Sequence, residues 1–153
     1  MELNLLFDDI INLEKENLTY ADRCFCQEYD EISSRKRLTD EHKDEDLIVY
    51  CYRSQILLAF VRFSLKDKKL IVISLQIKKG CEYIFRTLIK DTCSRLENLE
   101  FDTVEGDAYK NNILAIALHR KLGLCHSRNS EDKLGFLVSK EQFIISLRGY
   151  TKL

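Results

Sequence analysis

The run Lys69-Leu70-Ile71-Val72-Ile73-Ser74-Leu75-Gln76-Ile77-Lys78-Lys79-Gly80-Cys81-Glu82-Tyr83-Ile84-Phe85 changes its period at one glycine. Before it, a short stretch rich in β-branched residues and leucine predicts a strand over Lys69 to Ile77. After it, Cys81, Ile84, Phe85, Leu88, Ile89, Cys93 and Leu96 recur on one helical face. Leu99 to Val104 then reads as a buried strand, with Phe101 and Val104 apolar and an acidic exit at Glu105. A strand, a helix and a second strand in that order require a parallel pair with a right-handed crossover.

Upstream, Leu47 to Tyr52 and Gln55 to Phe63 are two more strand candidates. The short connectors Arg53-Ser54 and Lys66-Asp67-Lys68 make them, with Lys69 to Ile77, an antiparallel meander. Leu5, Leu6, Ile10 and Leu13 lie near a helical stripe that Leu3, Phe7 and Ile11 widen, and a second helix is expected from about Thr19 through Phe25, Tyr29 and Ile32. Glu31 to Asp46 is mostly charged without an apolar period, which predicts a solvated helix end or loop. Downstream, a helix is expected from Asn111 to Leu122, with Ile113, Leu114, Ala117, Leu118 and Leu122 apolar and Gly123 as a left-handed stop. Leu124 to Ser127, Leu134 to Val138 and Gln142 to Leu147 read as terminal strands, with Ser139 to Gln142 as the alternative cap of a short helix. The expectation is an α/β fold in one domain over 1–153, with a mixed, mostly antiparallel sheet flanked by helices. Its parts are a helical segment 1–46, a core 47–138 and a terminal strand or short helix 139–153.

Composition narrows the function classes. The 153 residues include no proline, although about 5% usage would supply about eight, so polyproline and collagen-like roles are excluded. The 24 Lys and Arg nearly balance the 25 Asp and Glu, which speaks against a nucleic-acid partner. The widest apolar run, Ile56 to Val61, is far short of a bilayer span, and Met1-Glu2-Leu3-Asn4 lacks the basic start of a signal peptide. A cytoplasmic protein with no membrane partner is expected. Cys24, Cys26, Cys51, Cys81, Cys93 and Cys125 form no CxxC pair and no metal-ligand spacing, so they read as small core residues in a reducing compartment.

Asn112-Ile113-Leu114-Ala115-Ile116-Ala117-Leu118-His119-Arg120-Lys121-Leu122-Gly123-Leu124 resembles the penultimate helix of the GNAT acyltransferase superfamily, written N-x-x-A-I-x-L-[YH]-x-K-L-G-F. Only the last position departs, with Leu124 for an aromatic, and the element order over Leu47 to Val138 agrees with the family fold. The resemblance implies acetyl-coenzyme A as cosubstrate. It also implies a loop of the form [RQ]-x-x-G-x-[GA], whose amides hold pyrophosphate ahead of a helix. Ile77-Lys78-Lys79-Gly80-Cys81-Glu82 stands at that point. Unpaired amides and the positive end of a helix make an anion site without any family argument, and glycine permits close approach. Ile77 and Glu82 depart from the pattern, and a carboxylate at Glu82 repels phosphate. Lys78 and Lys79 are phosphate contacts or plain surface lysines.

By the same resemblance, a splay beside the strand exposes the backbone of Leu75, Gln76 and Ile77 to the pantetheine arm, which pairs like an added strand. Asn112 lies near that arm, or caps its helix, or does both through the two ends of its amide. His119 stands near the coenzyme sulfur, where an imidazole can accept or donate a proton; the plain alternative is a helix-face histidine bonded to a neighbour. Glu105 is the candidate base or amine-binding carboxylate at a strand end, although Glu105-Gly106-Asp107 also has the composition of a turn. Tyr50, Tyr52, Tyr83 and Tyr109 either line the cleft or are half-buried strand and loop residues. The function implied is direct acetyl transfer from acetyl-coenzyme A to a small-molecule or peptide amine. The alternative is a degenerate module of the same fold that binds a ligand or a protein. A homodimer is one open oligomeric state.

Overall fold

The chain reverses twice on pairs of non-glycine residues with left-handed backbone: Ser54 and Gln55 at φ 49° and 66°, then Asp67 and Lys68 at 52° and 60°. Two central residues of positive φ match the right-handed twist of flanking strands. They join β1 (Ile48–Arg53), β2 (Ile56–Lys66) and β3 (Lys69–Ile77) into the expected meander. The computed structural model describes residues 2–25, 30–41, 47–110 and 112–151, leaving out the side chains of 18–25, 41 and 114. Tyr29, Cys26, the charged stretch 42–46 and the helix start at Asn111 therefore lie outside the described residues, as do the side chains of Cys24 and Leu114.

Ahead of the meander stand α1 (Leu3–Phe25) and α2 (Glu31–Glu41). After it come a 3-10 turn at Glu82–Ile84, α3 (Phe85–Glu97), β4 (Thr103–Tyr109), α4 (Ile113–Lys121), β5 (Cys125–Asn129), β6 (Lys133–Ser139) and α5 (Lys140–Thr151). The sheet order is β1-β2-β3-β4-β6-β5. The β3–β4 pair is parallel, whereas β1–β2, β4–β6 and β5–β6 are antiparallel. This is the mixed sheet that the strand–helix–strand unit predicts. No helix among the described residues is long and apolar enough to cross a membrane.

Packing divides the chain into two compact units of interleaved segments, Met1–Arg62 with Ser74–Leu88 and Phe63–Ile73 with Ile89–Leu153. In the first unit, Leu6, Phe7, Ile10, Ile11 and Leu13 of α1 pack with Leu38 of α2, Ile48 of β1, and Leu57 and Phe60 of β2. In the second, Leu96, Phe101, Val104, Phe136, Phe143 and Leu147 are among the buried residues.

Four elements differ from the sequence reading. The second helix expected from about Thr19 does not start there, because α1 runs unbroken from Leu3 to Phe25. The charged segment after Glu31 is a helix as far as Glu41. Asp30 caps its start by accepting from the Ser33 amide at 3.0 Å and the Ser33 hydroxyl at 2.8 Å, and those bonds hold the Asp30 carboxyl below its usual range. One fully buried residue, Leu38, supplies the apolar anchor that an average over charges conceals.

The strand expected at Leu99 to Val104 begins only at Thr103 and runs through Glu105-Gly106 to Tyr109. Leu99 belongs to the close of α3: the Lys140 ammonium donates to the Leu99 carbonyl at 2.6 Å and the Glu97 carbonyl at 3.4 Å, with the Phe101 ring 4.9 Å away. Such carbonyls have no partner inside a helix, and a cation completes them. Glu105 is therefore mid-strand, neither a strand exit nor part of a turn. The third terminal strand is α5, capped by Ser139 Oγ, which accepts from the Gln142 amide at 3.2 Å. Phe143, Ile144 and Leu147 form its buried side.

Candidate functional site

In the second unit, β3 and β4 pair over Lys69↔Thr103, Leu70↔Val104 and Ile71↔Glu105, where their ladder ends. β3 continues to Ile77, and Val72 to Ile77 are all half-exposed. Leu75, Gln76 and Ile77 thus lie on the part of the strand beyond that ladder. Side chains alternate along a strand: Ser74 and Gln76 meet residues of α1, so Leu75 and Ile77 project to the other face. The Ile77 carbonyl accepts from Asn17 Nδ2 at 3.0 Å.

The loop that follows belongs to the first unit. The Lys78 amide donates to the Leu58 carbonyl at 2.7 Å, and its ammonium pairs with Glu16 at 3.1 Å. Lys79 is exposed. The Cys81 amide closes the turn on the Lys78 carbonyl at 2.9 Å. Gly80 adopts φ +85°, and a Cβ there would meet nothing within 4 Å, so glycine is required by the backbone conformation alone. The Gly80 amide donates to Glu82 Oε1 at 3.4 Å. The carboxylate therefore reaches back over the loop and occupies a donor that an anion would otherwise use. Beyond it Tyr83 is 60% exposed, with the Arg53 guanidinium 5.3 Å from its ring centre.

In the second unit, α4 is capped by Asn112, whose side-chain oxygen accepts from the Ala115 amide at 3.1 Å. The NH2 end of the amide takes no part in that bond. Gly123 at φ +85° ends the helix as expected, with the Leu124 amide donating to the His119 carbonyl at 3.0 Å. His119 is half-buried, and its Nδ1 lies 2.6 Å from the Ala115 carbonyl. A carbonyl only accepts, so Nδ1 donates to it, and the neutral tautomer compatible with this bond has its lone pair on Nε2. The ring stacks on Phe136 at 4.9 Å between centroids, and a Cβ on Gly106 would stand 2.6 Å from Nε2.

The β4–β6 register pairs Val104, Gly106 and Ala108 with Val138, Phe136 and Leu134, while Glu105, Asp107 and Tyr109 oppose Leu137, Gly135 and Lys133. His119 therefore lies on the Gly106 face and Glu105 projects from the opposite, more open one. The two do not converge as an acid–base pair.

The tyrosines divide as well. Tyr52 donates to Asp9 at 2.6 Å, and burial followed by that bond raises its phenol above the usual range. Tyr50 meets Tyr52 edge-on, and Tyr109 lies under the Lys133 ammonium.

Three polar residues that the sequence reading passed over occupy the α1–β3 layer: Glu14, Asn17 and Ser74. Glu14 is 5% exposed. Burial raises its carboxyl above the ordinary range, against the lowering pull of Arg62, the Ser74 hydroxyl and Arg37. A signal existed, because Glu14 stands four residues after Ile10 on the apolar side of α1. Among the described residues, no group of three or more His, Cys, Asp or Glu is placed to hold a metal ion.

No protein-family profile and no curated protein matches the chain. Solved structures do. The PaiA N-acetyltransferase from Thermoplasma acidophilum, in complex with coenzyme A, superposes with a TM-score of 0.72 at 12% identity, over 91% of this chain and 95% of that one. Ard1 from Thermoplasma volcanium gives 0.60 at 10% identity, over 91% and 93%. The ribosomal-protein-S18-alanine N-acetyltransferase from Escherichia coli gives 0.55 at 15% identity, over 74% and 78%. At such identities the likeness is one of fold.

Proposed function

From the GNAT N-acetyltransferase fold that this chain has, we propose that it transfers an acetyl group from acetyl-coenzyme A to an amine by direct attack. The observation that carries this reading is the left-handed Gly80 turn. It follows a strand that outruns its parallel partner and precedes the helix start at Glu82. Amides ahead of a helix favour an anion such as pyrophosphate, and the half-exposed edge of Leu75 to Ile77 suits an extended amide-bearing arm. Asn112 caps α4 with its oxygen, which leaves the NH2 end of its amide outside that bond.

In the reaction the amine nitrogen attacks the thioester carbonyl and gives up an N–H proton, the C–S bond breaks, and the departing thiolate takes up a proton. His119, whose Nδ1 is held by the Ala115 carbonyl, has Nε2 for a proton-transfer role, and Glu105 on the opposite face of β4 does not share that proton. A second reading, a module that has lost transfer, is favoured by the Glu82 carboxylate on the Gly80 amide.

Release of free coenzyme thiol from acetyl-coenzyme A in the presence of a panel of primary amines tests the proposal. Transfer is expected, with His119→Ala slower by about 10²–10⁴-fold while coenzyme binding is retained. Absence of amine-dependent release across the panel supports the second reading.

A further inference from the structure

Four side chains between α1 and β3 form a hydrogen-bonded series with one polarity. Asn17 Nδ2 donates to Gln76 Oε1 at 3.0 Å, Gln76 Nε2 donates to Ser74 Oγ at 3.4 Å, and the Ser74 hydroxyl donates to Glu14 Oε2 at 3.5 Å. Every hydrogen in the series points toward Glu14. Its other oxygen, Oε1, is buried and has no hydrogen-bond partner among the described residues, an arrangement that is costly to leave unfilled. Ser74 and Gln76 are half-exposed, so the series runs from the strand surface to the buried carboxylate. Charged groups near it are Arg62 of β2 and Arg37 of α2.

We propose that Ser74 and Glu14 are the proton-accepting end of the site for a primary amine, a reading that rests on the acetyl-transfer function above. The ammonium N–H bond breaks as its proton passes to Ser74 Oγ, while the Ser74 hydroxyl proton passes to Glu14. Serine ends as the neutral hydroxyl, glutamate as the neutral acid, and the amine as the free base that attacks. Ser74 touches the substrate and Glu14 acts through it. Placement agrees with this role, because Ser74 lies three residues beyond the last β3–β4 pair and immediately ahead of Leu75. A carboxylate that burial has made more basic than usual is a better acceptor from an ammonium than an ordinary one.

The test uses butylamine and the full chain. Added without coenzyme to protein labelled with ¹³C at glutamate carboxyls, butylamine should move one resonance saturably, the one missing in Glu14→Gln. An unmoved resonance overturns the proposal whatever the enzyme does with acetyl-coenzyme A. With acetyl-coenzyme A present, Glu14→Gln should lower kcat/KM for butylamine at least about 100-fold and remove the acid limb of its pH profile. Ser74→Ala, at a half-exposed position, should lower it at least about tenfold, and both should keep the wild-type thermal shift with coenzyme A. Wild-type kcat/KM and pH profile in both variants overturn the proposal. A moving Glu14 resonance without any turnover in the wild type supports amine binding here and contradicts the acetyl-transfer reading instead.

Discussion

The His119 imidazole lies against the Phe136 ring, 4.9 Å between centroids and 18° between planes, directly over the strand pair Gly106↔Phe136. Its Nδ1 bond to the Ala115 carbonyl prevents the ring from swinging away. Gly106→Ala would place a methyl 2.6 Å from Nε2 and 2.9 Å from Cδ2, so the ring or the strand must shift. Overpacking of this kind typically costs about 1–3 kcal/mol. Urea denaturation should show that loss, and most of it should disappear in Gly106→Ala/His119→Ala, because residues in contact do not add independently. Equal losses in both backgrounds would mean that the glycine serves something other than the imidazole.

The two hairpin turns are expected to be improvable. Gln55 and Lys68 hold φ of 66° and 60°, and a left-handed backbone costs a residue with a Cβ about 1–2 kcal/mol. Gln55→Gly and Lys68→Gly should each raise stability by about 0.5–1 kcal/mol after the extra freedom of glycine in the unfolded chain is counted. Thermal unfolding midpoints of the two variants check this directly.

These turns also mark what the sequence made legible. Three strands joined by short polar connectors fixed the meander, and the change of period at Gly80 gave the parallel crossover. The motif around Asn112 to Gly123 gave the cap, the helix and its left-handed stop. What misled was local composition. Glu105-Gly106-Asp107 has turn residues, yet Gly106 is in a strand because His119 needs the space above it. The charges of α2 hide the single anchor Leu38, and the polar series ending at Glu14 joins residues some sixty positions apart, beyond the reach of any periodicity. Helix and strand periods report only one face of one element, whereas these features depend on a second element packed against it.

Glu82 should be a brake on coenzyme binding. Its carboxylate accepts the Gly80 amide at 3.4 Å and places negative charge at the loop. Glu82→Gly should tighten coenzyme A binding by about tenfold, equivalent to about 1.4 kcal/mol. Calorimetric titration of variant and wild type decides it; equal affinities would mean that the carboxylate moves aside without cost.

Stability should carry a trace of Glu14. Its folded-state carboxyl titrates above the unfolded one, chiefly through burial, so the native state holds the proton over a pH range in which the unfolded chain has released it. Native binding of the extra proton makes unfolding free energy fall as pH rises through that window, from the ordinary carboxylate range up to the folded value. Glu14→Gln should flatten that slope in denaturation curves taken at successive pH values. An identical slope in the variant would show that other groups produce it.

The most direct test of the central claim is the melting temperature of the wild-type protein with coenzyme A and acetyl-coenzyme A. A ligand at about 100 times its Kd adds about 2.7 kcal/mol to native stability, which for a chain of this size corresponds to a rise of roughly 5–10 °C. A rise with both coenzymes that saturates is the predicted result. No shift with either at millimolar concentration would contradict a coenzyme site at Gly80 and with it the acetyltransferase reading.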